Sequence, residues 1–124
     1  MPHSYRRADR VANLIQAEIA QMLERELRDP RLKKVTITRV SLTDDLKLAR
    51  VYFSLIGSKE EQNQAKEGFL RAKGLIKKLI GERVYLKFVP EIEFFFDQSL
   101  EYAQRIEELI HKIHEEDESD SEDL

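Results

Sequence analysis

The sequence predicts an α+β fold in which a small three-stranded sheet is covered on one face by helices, and three observations lead there. Segments at the start, middle and end repeat apolar residues at spacings of three and four, as amphipathic helices do. Two β-branched runs flank an acidic turn and read as an antiparallel hairpin, and a third alternating run supplies another strand. A hairpin leaves one face in need of cover, and 124 residues suffice for one domain with a core.

From about Ala8 to Arg28, Val11, Leu14, Ile15, Ile19, Met22, Leu23 and Leu27 share one helical face. Asp9 suits the helix dipole near its start, and Pro30, which has no amide hydrogen and disfavours a helical Asp29, stops the helix. Val35 to Thr43 and Leu46 to Ile56 form the hairpin about Asp44-Asp45. Ser58 with Glu61 has capping-box spacing, so a second helix begins there and buries Ala65, Phe69, Ala72, Ile76, Leu79 and Ile80. Gly68 and Gly74 each cost about 1 kcal/mol inside a helix relative to alanine, so one of them marks a kink or break. Gly81 can close this segment as a C-cap. Tyr85 to Phe96 reads as the third strand, with Pro90 demanding a bulge or an edge. Leu100, Ala103, Ile106, Leu109, Ile110 and Ile113 mark a last helix capped by Asp97 or Ser99. The expected order is α-β-β-α-kink-α-β-α, a single domain over residues 1–114 followed by a disordered acidic tail, 115–124.

The charge is unevenly spread. The whole chain carries 21 Lys and Arg against 24 Asp and Glu, a net charge of -3 that by itself argues against a nucleic-acid partner. Residues 115–124 hold seven of those acids and no base, so the remainder carries +4. Cysteine is absent, which excludes disulfides, thiol catalysis and thiolate metal sites. No window approaches the roughly 18 apolar residues of a membrane span, and the N-terminus lacks the apolar stretch of a signal peptide, so the chain reads as soluble and cytoplasmic.

Catalytic signals are weak. His111 and His114 lie three apart on the last helix near Glu107 and Glu115, but zinc needs three or four converging ligands, and two solvated histidines near a helix end are the simpler reading. Asp44-Asp45 reads as a turn former, and no phosphate-binding glycine loop, nucleophile elbow or metalloprotease motif occurs. No metal, no cofactor and no enzyme activity are expected.

The basic residues are more informative. Between Phe69 and Phe88 stand Arg71, Lys73, Lys77, Lys78, Arg83 and Lys87 against a single acid, Glu82. A chain break near Gly74 would expose backbone amides at a positive helix end beside Lys73, Lys77 and Lys78, where a phosphate backbone is attracted. Arg6, Arg7 and Arg10 extend this footprint or fray in solvent. Tyr52, Phe53, Phe88 and Phe94 to Phe96 could stack on bases, although alternation sends part of that set into the core.

The segment from Arg10-Val11 through Glu26-Leu-Arg-Asp-Pro-Arg-Leu32, then Val35-Thr-Ile-Thr38, Asp45-Leu46 and Ala49-Arg-Val-Tyr-Phe-Ser54, closely resembles the ribosome-binding factor A family. Val89-Pro-Glu-Ile-Glu-Phe94 leading into Asp97-Gln-Ser99 is similar to that family's second signature, and the resemblance spans about Arg6 to Ile113. It implies a type II KH-like fold whose Gly-x-x-G loop is replaced by an Ala-x-Gly kink, matched here by Ala72-Lys73-Gly74. It also implies a non-enzymatic, monomeric factor that binds the 30S subunit and its 16S rRNA, assists late maturation including 5'-end processing, and supports growth in the cold. RNA binding is then expected at Arg71, Lys73, Gly74, Lys77, Lys78, Arg83 and Lys87, helped by Arg6, Arg7 and Arg10. The competing reading is a protein-docking adaptor for a ribosomal protein or an assembly GTPase.

Overall fold

A computed structural model describes residues 6–122, with the backbone alone at 100, 101 and 116–122. Helix α1 (Arg7–Arg25) leads into a short 3-10 turn (Pro30–Leu32), then β1 (Thr36–Leu42), β2 (Leu48–Ser54), α2 (Lys59–Arg83), β3 (Glu91–Phe96) and α3 (Ser99–Glu122). The sheet order is β1-β2-β3, antiparallel between β1 and β2 and parallel between β2 and β3. The α+β class and the three-stranded sheet are as expected.

α1 ends before Pro30. Its last turn closes with Leu27 N–H donating to Met22 O, and Asp29 then accepts the Arg31 amide, so Pro30 opens the 3-10 turn. Ala8, Val11, Ala12, Ile15, Ile19 and Met22 are buried, whereas Leu14 is exposed. The hairpin turn is held by Asp45, which accepts from the Thr43 hydroxyl at 2.7 Å and the Lys47 amide at 3.0 Å. The backbone turns back through Leu46, whose φ is 62°. The expected capping box opens α2: Glu61 N–H donates to Ser58 Oγ, and Ser58 N–H to the Glu61 carboxylate.

α1 and α2 cover one face of the sheet. Phe69 of α2 stacks on Phe94 of β3 with centroids 4.7 Å apart and meets Phe53 of β2 at 5.0 Å, an aromatic centre that joins the two layers. Ile15, Ile19, Ile76, Ile80, Val51 and Ile92 surround it with negligible exposure.

Four expectations are corrected. α2 is one helix from Lys59 to Arg83, so Gly74 does not break it and the elements run α-β-β-α-β-α: apolar anchors on both sides, Phe69 before and Ile76, Leu79 and Ile80 after, outweigh a glycine cost of about 1 kcal/mol. Gly81 does not cap it, because the helix continues to Arg83 and the Val84 amide still donates to Ile80 O; a Cβ on Gly81 would instead meet Val89 Cγ2 at 3.0 Å. β3 starts only after Pro90, since a proline cannot donate to the ladder, which begins with Glu91 N–H to Lys47 O at 2.9 Å. α3 leaves its described side chains exposed, including Ile106, Leu109, Ile110 and Ile113, and continues past the expected boundary at 115 to Glu122. Nothing in its sequence stops it: no Gly or Pro follows Leu100, and extending a nucleated helix costs little. The final two residues of the expected tail, 123 and 124, lie outside the described residues.

Candidate nucleic-acid interface

The outer face of α2 presents Arg71, Gly74 and Lys78 in line, with Leu70 and Leu75 beside them, all exposed. Arg71 and Lys78 form no ion pair among the described residues. Gly74 has no positive φ, and a Cβ built on it would meet nothing within 4 Å. Neither backbone conformation nor packing within the chain demands a glycine there. Because the helix is unbroken, the amides after Gly74 are taken up in its ladder, and the free helix end expected at that point does not exist. What this face offers is cationic side chains and a close approach to bare backbone.

Ala72, Lys73 and Lys77 turn toward the sheet. Both lysines grip Glu91 at the start of β3, Lys73 Nζ at 2.5 Å and Lys77 Nζ at 3.2 Å. Hydrogen bonds from Lys73 and then Lys77 pull the Glu91 carboxyl down from its ordinary 4.5 to about 2. Their charge is therefore engaged with a carboxylate and joins the outer face only if that clamp opens.

Arg83 and Lys87 stand apart from that stripe: Arg83 follows Lys78 by five residues, about 7.5 Å of helix rise and about 140° around its axis. Arg83 pairs with Glu26 of the α1 exit and, at 3.8 Å, with Glu18. Its hydrogen bond to Glu26 lowers that carboxyl and raises its own pKa. The loop from Val84 to Pro90 follows, with Tyr85 and Phe88 fully or largely exposed and Lys87 Nζ 5.7 Å from the Phe88 ring centroid. An open hollow of about 720 Å³ brings Arg7, Arg83, Tyr85 and Lys87 together, and a smaller one of about 280 Å³ joins Arg7, Lys47, Lys87 and Phe88. Arg7 thus meets the distal end of the basic segment, while Arg6 pairs with Asp44 at 3.2 Å and Arg10 lies exposed on α1. Tyr85, Lys47, Leu70 and Leu75 are the surface residues that the sequence reading missed. Tyr85 was hidden by its place in a run that reads as strand, and Lys47 by its distance along the chain.

Among the described residues no three His, Asp or Glu side chains converge as a metal site, and His111 pairs with Glu115 at 3.2 Å. No described helix is long and apolar enough to cross a membrane.

Comparison with known proteins points to one family. The family model for ribosome-binding factor A matches residues 7–110. A ribosome-binding factor A from Syntrophobacter fumaroxidans is 44% identical over 112 residues, covering 89% of this chain and 96% of the relative. The solution structure of a Thermotoga maritima protein described by the same family name superposes with a TM-score of 0.67 at 36% identity, over 80% of this chain and 94% of that one. A Thermus thermophilus homology model of this factor, fitted into the cryo-EM map of its 30S complex, superposes with a TM-score of 0.53 at 26% identity, over 68% and 93%.

Proposed function

The chain belongs to the ribosome-binding factor A family, and from that premise we propose that it binds the 30S ribosomal subunit and assists late maturation of 16S rRNA, including 5'-end processing, without catalysis of its own. It works in the cytoplasm as a monomer. The observation that carries the reading is Gly74, a glycine inside a helix that nothing among the described residues requires, set between two exposed cations. An rRNA backbone seated on this face places phosphates against Arg71 and Lys78 while the missing side chain lets it approach α2 closely. Arg7, Arg83 and Lys87 form a second contact around the larger hollow, with Arg6 and Arg10 at its margin. The chemistry is recognition of the RNA backbone and its shape by these cations.

The test is binding to purified 30S subunits across a salt series. Arg71→Glu with Lys78→Glu weakens binding at least tenfold and lowers the slope of log affinity against log salt by about 1.5 to 2. Unchanged affinity and slope would reject this face. The exposed apolar stripe of α3 favours a second reading, an adaptor that docks on a ribosomal protein or an assembly GTPase through α3 and not through the first helix or the sheet. Its signature is salt-insensitive binding to protein components in the absence of rRNA.

A further inference from the structure

The loop between α2 and β3 reads Val84-Tyr-Leu-Lys-Phe-Val-Pro90 and holds no acid. Val84 and Pro90 are buried and Leu86 packs against the core, so the loop is pinned at both ends and near its middle. Between these anchors two rings turn outward. Tyr85 is fully exposed, and Phe88, 75% exposed, is the most exposed phenylalanine of the chain. Neither ring packs on another ring among the described residues. A fixed loop thus holds in water two rings that forgo the burial given to Phe53, Phe69 and Phe94. Cations surround them: the smaller hollow has Leu46, Leu86 and Phe88 as apolar walls and Arg7, Lys47 and Lys87 as charged ones. Its one acid, Asp45, already accepts from the Thr43 hydroxyl and the Lys47 amide. Arg7, Lys47 and Lys87 form no ion pair among the described residues. Tyr85 borders the larger hollow together with Arg7 and Lys87.

That combination selects the occupant. Lysine is depleted from the centres of protein interfaces, whereas these bare rings stand among two lysines and an arginine whose charges are unanswered. An acidic peptide would answer the charges and leave the rings bare. A nucleotide carries a flat base and a phosphate one sugar apart, which matches a ring with a cation beside it. Two rings, each bordering a hollow with cations of its own, fit successive nucleotides of a strand and not a lone one. In a duplex the bases are stacked on one another and closed to a side chain, so that strand is unpaired. We propose that Tyr85 and Phe88 form a clip that stacks on unpaired bases of single-stranded RNA while Arg7, Lys47 and Lys87 hold the adjoining phosphates. The proposal rests on the RNA-binding reading above and deepens its second contact: the α2 face holds backbone, and the loop holds bases.

The chain contains no tryptophan, so Phe88→Trp places a single reporter at the site, whose emission a stacked base quenches. The intact chain is titrated with labelled oligouridylate of about ten nucleotides and with an abasic strand of equal length, read by this emission and by fluorescence anisotropy. Oligouridylate binds about tenfold more tightly than the abasic strand, and it alone quenches the reporter. Phe88→Ala and Tyr85→Ala each reduce that preference severalfold without changing the salt slope, because stacking is not ionic, and Phe88→Tyr preserves it. Both positions are exposed, so neither variant puts the fold at risk. Equal affinity for the two strands, no binding of either, or a preference untouched by Phe88→Ala and Tyr85→Ala overturns the clip. Equal quenching by uridine monophosphate at the same nucleotide concentration assigns a free nucleotide instead and overturns the strand. A Phe88→Ala chain that loses 30S affinity yet keeps its preference for bases assigns the loop to a protein partner and also overturns the clip. Arg71→Glu with Lys78→Glu separates the two readings: unchanged 30S affinity there rejects the α2 face and leaves the preference of the loop for bases standing.

Discussion

Gly68 and Gly74 lie in the same helix and have opposite reasons for being there. A Cβ on Gly68 would meet Leu32 Cδ2 at 3.1 Å and Asp29 Oδ2 at 3.3 Å, so this glycine lets the 3-10 turn approach α2. A Cβ on Gly74 would stand in open space. Alanine at 74 therefore gains helix propensity and nothing opposes it, while alanine at 68 must displace the buried Leu32 side chain. Gly74→Ala is expected to raise the unfolding free energy by about 0.5–1 kcal/mol and Gly68→Ala to fall below it by about 1 kcal/mol or more, both measured by urea denaturation. Gly74→Ala should at the same time weaken 30S binding. A variant more stable than its parent yet poorer at binding ties this residue to a partner; a stable variant with full affinity shows that the glycine serves no contact.

Among the elements, spacing made the helices, the hairpin and the capping box of α2 legible, because each depends on residues near one another in sequence. The start of β3 was hidden because Val84, Tyr85 and Val89 are strand-like in composition, and only the missing proline amide and the approach of Val89 to Gly81 turn that run into a loop. The candidate site suffered from the same blindness at longer range: Lys73 and Lys77 read as free cations until the fold brings Glu91 between them. That clamp ties α2 to the head of β3 and gives stability an acid dependence of known sign. The Glu91 carboxyl is held at about 2 against an ordinary 4.5, so its contribution is complete above 4.5 and fades as pH falls toward 2. Glu91→Gln is expected to be slightly less stable than the parent at neutral pH, with the difference closing across that window and shrinking in high salt. It also releases two lysines toward RNA, steepening the salt dependence of rRNA binding. Denaturation curves at stepped pH and a binding series in salt check the two halves separately.

Across the whole molecule the net charge of -3 is the sum of two unlike parts. Residues 100–124 carry ten acids and two bases, a net of -8, which leaves +5 on the remainder. The basic part contains the described core and the α2 face, whereas the described side chains of α3, its apolar stripe included, are exposed. An acidic helix attached to an RNA-binding body repels the phosphates that the body attracts, over a range set by the Debye length, about 10 Å at 0.1 M salt. Deleting residues 100–124 should therefore leave the unfolding free energy within about 0.5 kcal/mol, since the described side chains removed are exposed. It should raise affinity for bare 16S rRNA severalfold at low salt, an effect that vanishes as salt rises. Binding to complete 30S subunits separates the two roles open to α3. If the helix acts only through its charge, the truncated chain gains affinity there too; if its apolar stripe docks on a subunit protein, the truncated chain gains on bare rRNA and loses on the subunit. Equal affinity for bare rRNA before and after truncation, at every salt concentration, would show that the charge on α3 never reaches the RNA-binding faces.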